Sequence, residues 1–240
     1  MAKKGGGKAQ KRISVNRLTN IRRKGKAWVF KTLPGPHSKK SSVPLGVVLR
    51  DILGIARTAK ETRFVLNSGN VLVDGIRRKR AQYPVGLFDV VSIAGKDYRA
   101  LLDSSTRLAL KEIKKSEGNF KLCKVLGKKA FAKGLFQLHT NDGRTFLEKN
   151  NEIRAGDTID IALPRQSVKD YFRLERGSTV LVIEGKRIGS IGKIIEVIPG
   201  TMARERIVVL APQEGKEFQT GERNVFVVGR ENPVIGVSTA

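Results

Sequence analysis

The stretch VLVDGIRRKRAQYPVGLFDVVSI, Val71 to Ile93, decides how the rest of the chain is read. Val71 and Val73 alternate as in a half-buried strand, and Asp74-Gly75 is the dipeptide of a tight hairpin turn. Val90 to Ile93 reads as a second strand. Between the two stand four consecutive cations, Arg77, Arg78, Lys79 and Arg80. Like charges in a row repel one another, so a fold gains nothing from them unless an anionic partner relieves the repulsion. The plainer alternative is a solvated charged loop.

Upstream lie two short helical patterns. In SSVPLGVVLRDILG, Ser42 is placed to cap a helix with Pro44 in its first turn. Leu45, Val48, Leu49 and Ile52 follow the i, i+3, i+4, i+7 spacing of one buried face. In TAKETRFVLNSG, Thr58 and Glu61 match a capping box, and Gly69 suits a left-handed C-terminal residue. Val65 and Leu66 face inward, and Lys60 and Arg63 share the outer face. Arg50 is counted with these cations. The predicted order is helix, helix, strand, turn, basic segment, strand.

Charge sets the class of partner. The chain has 240 residues, 47 Lys and Arg against 22 Asp and Glu, and a formal net charge of +25. That balance points to a polyanion, nucleic acid first and an anionic membrane surface second. The excess is uneven: Met1 to Ser42 holds thirteen Lys or Arg and no acid, whereas Tyr171 to Ala240 nets only +2, from ten bases and eight acids. A gradient of this kind is read as a binding arm attached to folded modules.

The arm is glycine-rich at Gly5 to Gly7, poor in apolar residues, and expected not to fold alone. It is expected to be disordered in free protein and ordered on RNA. Its cations Arg22, Arg23, Lys24, Lys39 and Lys40 are candidate phosphate contacts. Pro34 and Pro36 extend the chain before His37, and Trp28 is read as the structural anchor that packs on the protein's own core.

Beyond residue 97 the chain reads as β-rich. LFQLHTNDGRTFL is a hairpin around Asn141-Asp142-Gly143, and IRAGDTIDIALP is a turn and strand ending at Pro164. GSTVLVIEGKRIGSIGKIIEVIPG alternates apolar residues with glycine breaks, as the short strands of a small barrel do. Gly192 is expected to be structural, supplying backbone freedom at a barrel turn.

No catalytic constellation is legible. His37 and His139 lie far apart in different predicted modules, and Cys123 is the single cysteine, read as a buried structural thiol. No phosphate-binding loop of the GxxxxGK[ST] type occurs, and GKRIGSIG lies between strands rather than opening a helix. No catalytic residue, metal ligand or cofactor is assigned, and no small-molecule substrate. No run of 18 apolar residues exists, so no membrane partner is expected. The basic arm also lacks the apolar face of a membrane-surface helix, and no DNA-recognition helix is apparent.

Two resemblances sharpen this reading. VPLGVVLRDILG through YPVGLFDVVSI resembles the alpha-L RNA-binding motif, two helices and a hooked strand pair. GPH, PLGVVLRDILG, VLVDG, YPVGLFDVVSI, FKLCKV, QLHTNDGR and GDTIDIALP stand in the order of the fourth small-subunit ribosomal protein family of archaea and eukaryotes. GSTVLVIEGKRIGSIGKIIEVI resembles a KOW element whose characteristic glycine is Gly192, and EFQTGERNVFVVG resembles the family's C-terminal segment. The first 25 residues depart from the pattern: VNRLTN stands where the family has HLKRL. RRKRAQYPVG is more basic than the family's segment. The chain ends soon after NPVIGV, as archaeal versions do.

The resemblance implies an α+β, multi-module chain. Its parts are a basic N-terminal arm (1–42), an alpha-L motif (43–96), a central β-rich domain (97–170) and a KOW-containing SH3-like barrel with tail (171–240). It implies a structural, non-enzymatic constituent of the small ribosomal subunit, located on cytoplasmic ribosomes, with ribosomal RNA and neighbouring ribosomal proteins as partners. The alternative kept beside it is an RNA-modifying or ribosome-biogenesis factor built on the same modules.

Overall fold

A computed structural model describes residues 7–22, 24–103, 105–149, 151–202, 204–212 and 215–236. They form two compact units, one from residues up to 121 with 163–165, the other from 122–162 with the residues from 166 onward. Both are mostly β, and the expected α+β balance is corrected accordingly. Among the described residues α-helix is confined to short stretches in the first unit because few windows sustain a 3.6-residue apolar period.

The first unit opens with β1 (Ala9–Lys11) antiparallel to β2 (Trp28–Phe30). Next come β3 (Val43–Pro44), the single turn α1 (Leu45–Val47), a wider turn over Val48–Ile52, and α2 (Ala59–Asn67). Then follow β4 (Val71–Val73), β5 (Ile76–Arg77), β6 (Pro84–Val85), β7 (Val90–Ile93), β8 (Lys96–Leu102) and β9 (Leu108–Ile113). The sheet order is β5-β4-β7-β8-β9, with β3 and β6 paired separately. A module boundary at residues 96 and 97 is therefore corrected: β8 and β9 extend the sheet that β4 and β7 begin.

The turn expected at Asp74-Gly75 joins β4 to β5, with φ of 52° and 75°, both positive as a type I′ turn requires. A Cβ on Gly75 would also lie 2.6 Å from the Pro164 side chain. The helix start differs from expectation. Ser42 is not the cap, because Val43 and Pro44 pair with Val85 and Pro84 and the helix begins at Leu45. After Val47 the ladder widens, Leu53 N–H donating to Val48 O at 2.9 Å, a five-residue step that no apolar spacing announces. At α2 the capping box is as read. The Thr58 hydroxyl accepts from Glu61 N–H, and the Glu61 carboxylate accepts from Arg57 N–H and the Thr58 hydroxyl.

The arm is corrected more deeply. From residue 9 onward it is paired and packed. Val15, Leu18 and Ile21 lie against the core of Leu45, Leu49, Leu66, Val71 and Val91, and Leu108 N–H donates to Leu18 O at 2.8 Å. Trp28 is not the anchor: it is 59% exposed, while Val29 and Phe30 enter the core. By alternation Trp28 shares the strand face of Phe30, but burial along the strand begins only at Val29.

In the second unit, β10 (Phe120–Ala130), β11 (Phe136–Thr140), β12 (Thr145–Glu148), β13 (Thr158–Ala162) and β14 (Ser167–Phe172) form a sheet ordered β12-β11-β10-β13-β14. β15 (Thr179–Val182), β16 (Ile191–Ile198), β17 (Ile207–Pro212), β18 (Phe218–Gly221) and β19 (Val225–Gly229) form another, ordered β18-β17-β16-β15-β19. Cys123 is buried, its thiol 3.3 Å from an Asp142 carboxylate oxygen in the Asn141-Asp142-Gly143 turn. Gly192 does not sit at a turn. It lies inside β16 between Val180 and Pro212, and a Cβ there would stand 2.6 Å from the Ala211 carbonyl oxygen. The glycine is required by backbone approach, not by backbone freedom.

Lys124 is 5% exposed, and its ammonium donates to the carbonyls of Glu222 (2.6 Å), Val225 (2.7 Å) and Arg223 (3.3 Å). Burial pulls its pKa down from 10.5 to about 8. Between those values the unfolded chain holds the proton and the folded chain has released it, so stability rises with pH across that window. At about 1.4 kcal/mol per unit, the expected gain is on the order of 2–3 kcal/mol. Urea titrations at pH 7.5 and pH 10 should show this upward step in the wild type and lose it in Lys124→Met. Parallel pH dependence in the two proteins counts against the burial described.

Candidate nucleic-acid interface

The four consecutive cations leave the Asp74-Gly75 turn in different directions. Arg77 belongs to β5, opposite Leu72, and its side chain runs along Gly69 at the end of α2, 3.3 Å from where a Cβ would stand. All four lie outside the Val71–Val73 and Val90–Ile93 strands, with Arg77 in a short strand of its own after the turn. Arg78 is half-buried, with its guanidinium 4.5 Å from the Tyr83 ring centroid. Lys79 and Arg80 are exposed. Among the described residues none of the four side chains forms an ion pair or a hydrogen bond.

The acids nearest in sequence are engaged elsewhere. Lys121 is buried and bridges Asp74 at 2.9 Å and Asp89 at 2.6 Å. Asp89 also takes His37 Nε2 at 3.0 Å and accepts from Gly86 N–H at 2.8 Å, while Asp74 accepts from Val90 N–H at 3.0 Å. Burial pushes the Asp89 carboxyl up, but Lys121 and His37 outweigh it and hold the group well below the usual carboxylate range. Both carboxylates are engaged by Lys121, and the cations of 77–80 are left without internal neutralisation. His37, which follows the stretch that Pro34 and Pro36 extend, is 7% exposed, and its ring packs against the backbone at Gly86.

Other expected contacts divide. Lys60 and Arg63 are exposed on α2, beside Phe64, which is 76% exposed. Since Arg77 lies over Gly69, the outer face of α2 and the basic segment are continuous. Arg50 is removed from that face: its side chain is buried, pairs with Asp51 at 2.7 Å, and lies over the Phe30 ring. Helical spacing places a residue on a face but does not say whether the next element covers it. Arg22, Lys24, Lys39 and Lys40 are exposed. Lys26 donates to the Arg57 carbonyl and ties the arm to the start of α2. Arg23 lies outside the described residues.

Sequence reasoning missed one component. Leu33 N–H donates to Gln82 O at 3.0 Å, so Leu33-Pro34-Gly35 runs beside Tyr83-Pro84 and faces the basic segment across a cleft of about 380 Å³. The Pro-Gly-Pro of the arm and the Tyr-Pro after the cations were its only local signals.

The chain was compared with known proteins. The description "Ribosomal family S4e" matches residues 94–168. The small ribosomal subunit protein eS4 of Methanosphaera stadtmanae is 39% identical over 239 residues, covering 99% of this chain and 98% of that protein. The protein of the same name from Methanothermobacter thermautotrophicus is 40% identical over 212 residues, 88% of this chain and 87% of that one. Among solved structures, the crystal structure of the 30S ribosomal protein S4e from Thermoplasma acidophilum superposes with a TM-score of 0.68 at 28% identity, over 79% of this chain and 95% of that chain.

Proposed function

The chain belongs to the S4e family of small ribosomal subunit proteins, and from that premise we propose that it binds ribosomal RNA through the phosphate-facing surface built on the Asp74-Gly75 turn. It is a structural constituent of the small ribosomal subunit. The relatives described above are all named as ribosomal subunit proteins and none as a modifying enzyme, which favours this reading over an RNA-modifying or biogenesis factor.

The observation that carries the RNA surface is charge without internal neutralisation. Arg77, Arg78, Lys79 and Arg80 have no acidic partner among the described residues, and the two acids nearby are held by Lys121. Such cations release condensed counterions when they meet dense phosphates. Lys60 and Arg63 extend the surface along α2, and the exposed arm cations Arg22, Lys24, Lys39 and Lys40, with Arg23, add further contacts. We read α1, α2 and β4 to β7 as the alpha-L motif. We read β15 to β19 as a small SH3-like barrel whose KOW glycine is Gly192. The helix pair preceding a type I′ strand turn supports the first, and five consecutive antiparallel strands support the second. Neighbouring ribosomal proteins are the other partners, on cytoplasmic ribosomes.

The test spares Arg78, whose ring contact makes it part of the fold. Replacing Arg77, Lys79 and Arg80 by Ala should leave circular dichroism unchanged. It should lower the slope of log K against log salt by about 0.7–0.9 per phosphate lost, so roughly 2–3 on a ribosomal RNA fragment. A folded variant with the wild-type slope places the phosphate contacts elsewhere.

A further inference from the structure

The cleft beside the basic segment has a composition that phosphate binding does not need. One wall is the cations of 77–80. The others are flat and apolar, Pro34 and Pro84 with the Tyr83 ring, and Gly35 lets the two segments close up: a Cβ there would stand 2.7 Å from the Pro84 ring. The Arg78 guanidinium is already stacked on Tyr83, and its buried Nε has no hydrogen-bond partner. Burial raises the Tyr83 pKa, so the phenol is neutral and can donate. At about 380 Å³ the cleft is in the size range of small-ligand sites, roughly 300–1,000 Å³.

We propose that this cleft receives one unstacked nucleotide of the bound RNA, its base against the Tyr83–Arg78 pair and the two prolines, its flanking phosphates on Arg77, Lys79 and Arg80. The inference rests on the RNA-binding reading and adds to it a preference for RNA with a looped-out base. Bases freed from a helix stack on aromatic rings and on guanidinium planes, and RNA is read chiefly through such nucleotides. A ring already stacked on its arginine loses little freedom when the base arrives. An evenly paired helix can satisfy the cations but leaves the apolar walls unused.

Two RNA hairpins, each with the ends of its stem closed by the same covalent non-nucleotide linker, are compared with the full-length protein at one salt concentration, one with an uninterrupted stem and one with a single bulged nucleotide. Free adenosine monophosphate and an acidic peptide serve as competitors. The bulged hairpin should bind about tenfold or more tighter, the size of one base–aromatic stack. Tyr83→Leu should remove that preference and Tyr83→Phe keep it, with the salt slope unchanged in both. A 4-thiouridine at the bulge should photocross-link to residues 33–35 or 77–84 of the wild type, a readout that stands even if Tyr83→Leu fails to fold. Equal binding of the two hairpins with the salt slope intact overturns the cleft proposal and leaves the phosphate surface standing. Failure of both hairpins to bind overturns the RNA reading and the cleft with it. If adenosine monophosphate displaces the hairpin at comparable concentration, the cleft is a free-nucleotide site. If the acidic peptide does so, it is a carboxylate site. Either result overturns the proposal.

Discussion

Lys121→Met is expected to cost the first unit about 3–5 kcal/mol, the usual penalty for removing one member of a buried ion network. The Lys121 side chain is 2% exposed, and its two carboxylate partners are 4% and 1% exposed. Met fills nearly the same space, so the loss is electrostatic rather than a cavity. Asp74 and Asp89 are left without the ammonium that bridges them, in a place water does not reach, while His37 and Gly86 N–H still contact Asp89 and Val90 N–H still donates to Asp74. Total stabilities run to about 5–15 kcal/mol, so the change removes a large share of the whole.

The pH dependence should reverse as well. In the wild type Asp89 has a depressed pKa, so its contribution is present above 3.8 and is lost as pH falls through the folded value. In Lys121→Met the buried Asp89 carboxyl loses its main counter-charge, and burial then pushes its pKa up. Its contribution to stability is then highest in acid and falls as pH rises. From pH 5 to pH 8 the urea midpoint should therefore fall in the variant, while in the wild type Asp89 contributes no change over that window. RNA affinity should drop too, although Lys121 touches no RNA in the proposed mode, because Asp74 is the turn residue that aims Arg77 and its successors. Adding Asp74→Asn and Asp89→Asn to the variant should restore part of the loss. A loss below 1 kcal/mol with an unchanged pH profile would show that the network is not charged as described.

That network also marks where the sequence stops being legible. Local signals were readable because their cause is local. Thr58 and Glu61 are three residues apart and cap a helix by themselves. Asp74-Gly75 turns a strand because both residues accept positive φ. Val90 to Ile93 is a strand because its apolar run is short and bounded by turns. The partners of buried charges are not local. Lys121 reaches Asp74 across 47 positions and Asp89 across 32, and His37 reaches Asp89 across 52. Nothing in FKLCKV distinguishes Lys121, fully buried, from an exposed strand lysine, and nothing in VVLRDIL reveals that Phe30 will cover Arg50.

The arm shows the same limit from the apolar side. Val15, Leu18, Ile21, Val29 and Phe30 are too sparse to make a periodic stripe, yet each finds the core that residues 43–110 supply. An acid-free, glycine-bearing segment reads as unfolded because its own residues cannot close a core. Here another segment closes it. The basic interface was legible as composition, four cations after a turn, but the cleft was not. It needs Leu33-Pro34-Gly35 brought to Tyr83-Pro84, a pairing fixed by one backbone hydrogen bond.

Gly192→Val should severely damage the second unit, and Gly192→Ala should already cost about 2–3 kcal/mol, the upper range for overpacking a close-packed interior. A Cβ would meet the Ala211 carbonyl oxygen at 2.6 Å, the Ala211 carbonyl carbon at 3.0 Å and the Pro212 Cα at 3.1 Å. All three are backbone atoms, so no side-chain rotation relieves the clash. Relief requires β16 to part from β17, yet β16 is the central strand and also carries β15. Each added methyl of Val deepens the same conflict. Gly189 separates this cause from the one the sequence proposed. It sits at φ 87° with nothing within 4 Å of its Cβ position, so Gly189→Ala meets only the left-handed backbone penalty of about 1–2 kcal/mol. Gly127 has open space and no positive φ, and Gly127→Ala should be nearly neutral. The expected order of damage is therefore 192, then 189, then 127, read as urea midpoints of the full-length protein. Amide exchange should show protection lost in β15 to β17 and retained in β4 and β7. If Gly189→Ala proves costlier than Gly192→Ala, the glycines of this segment act through their turns, and the close approach of β16 and β17 is not what holds the sheet.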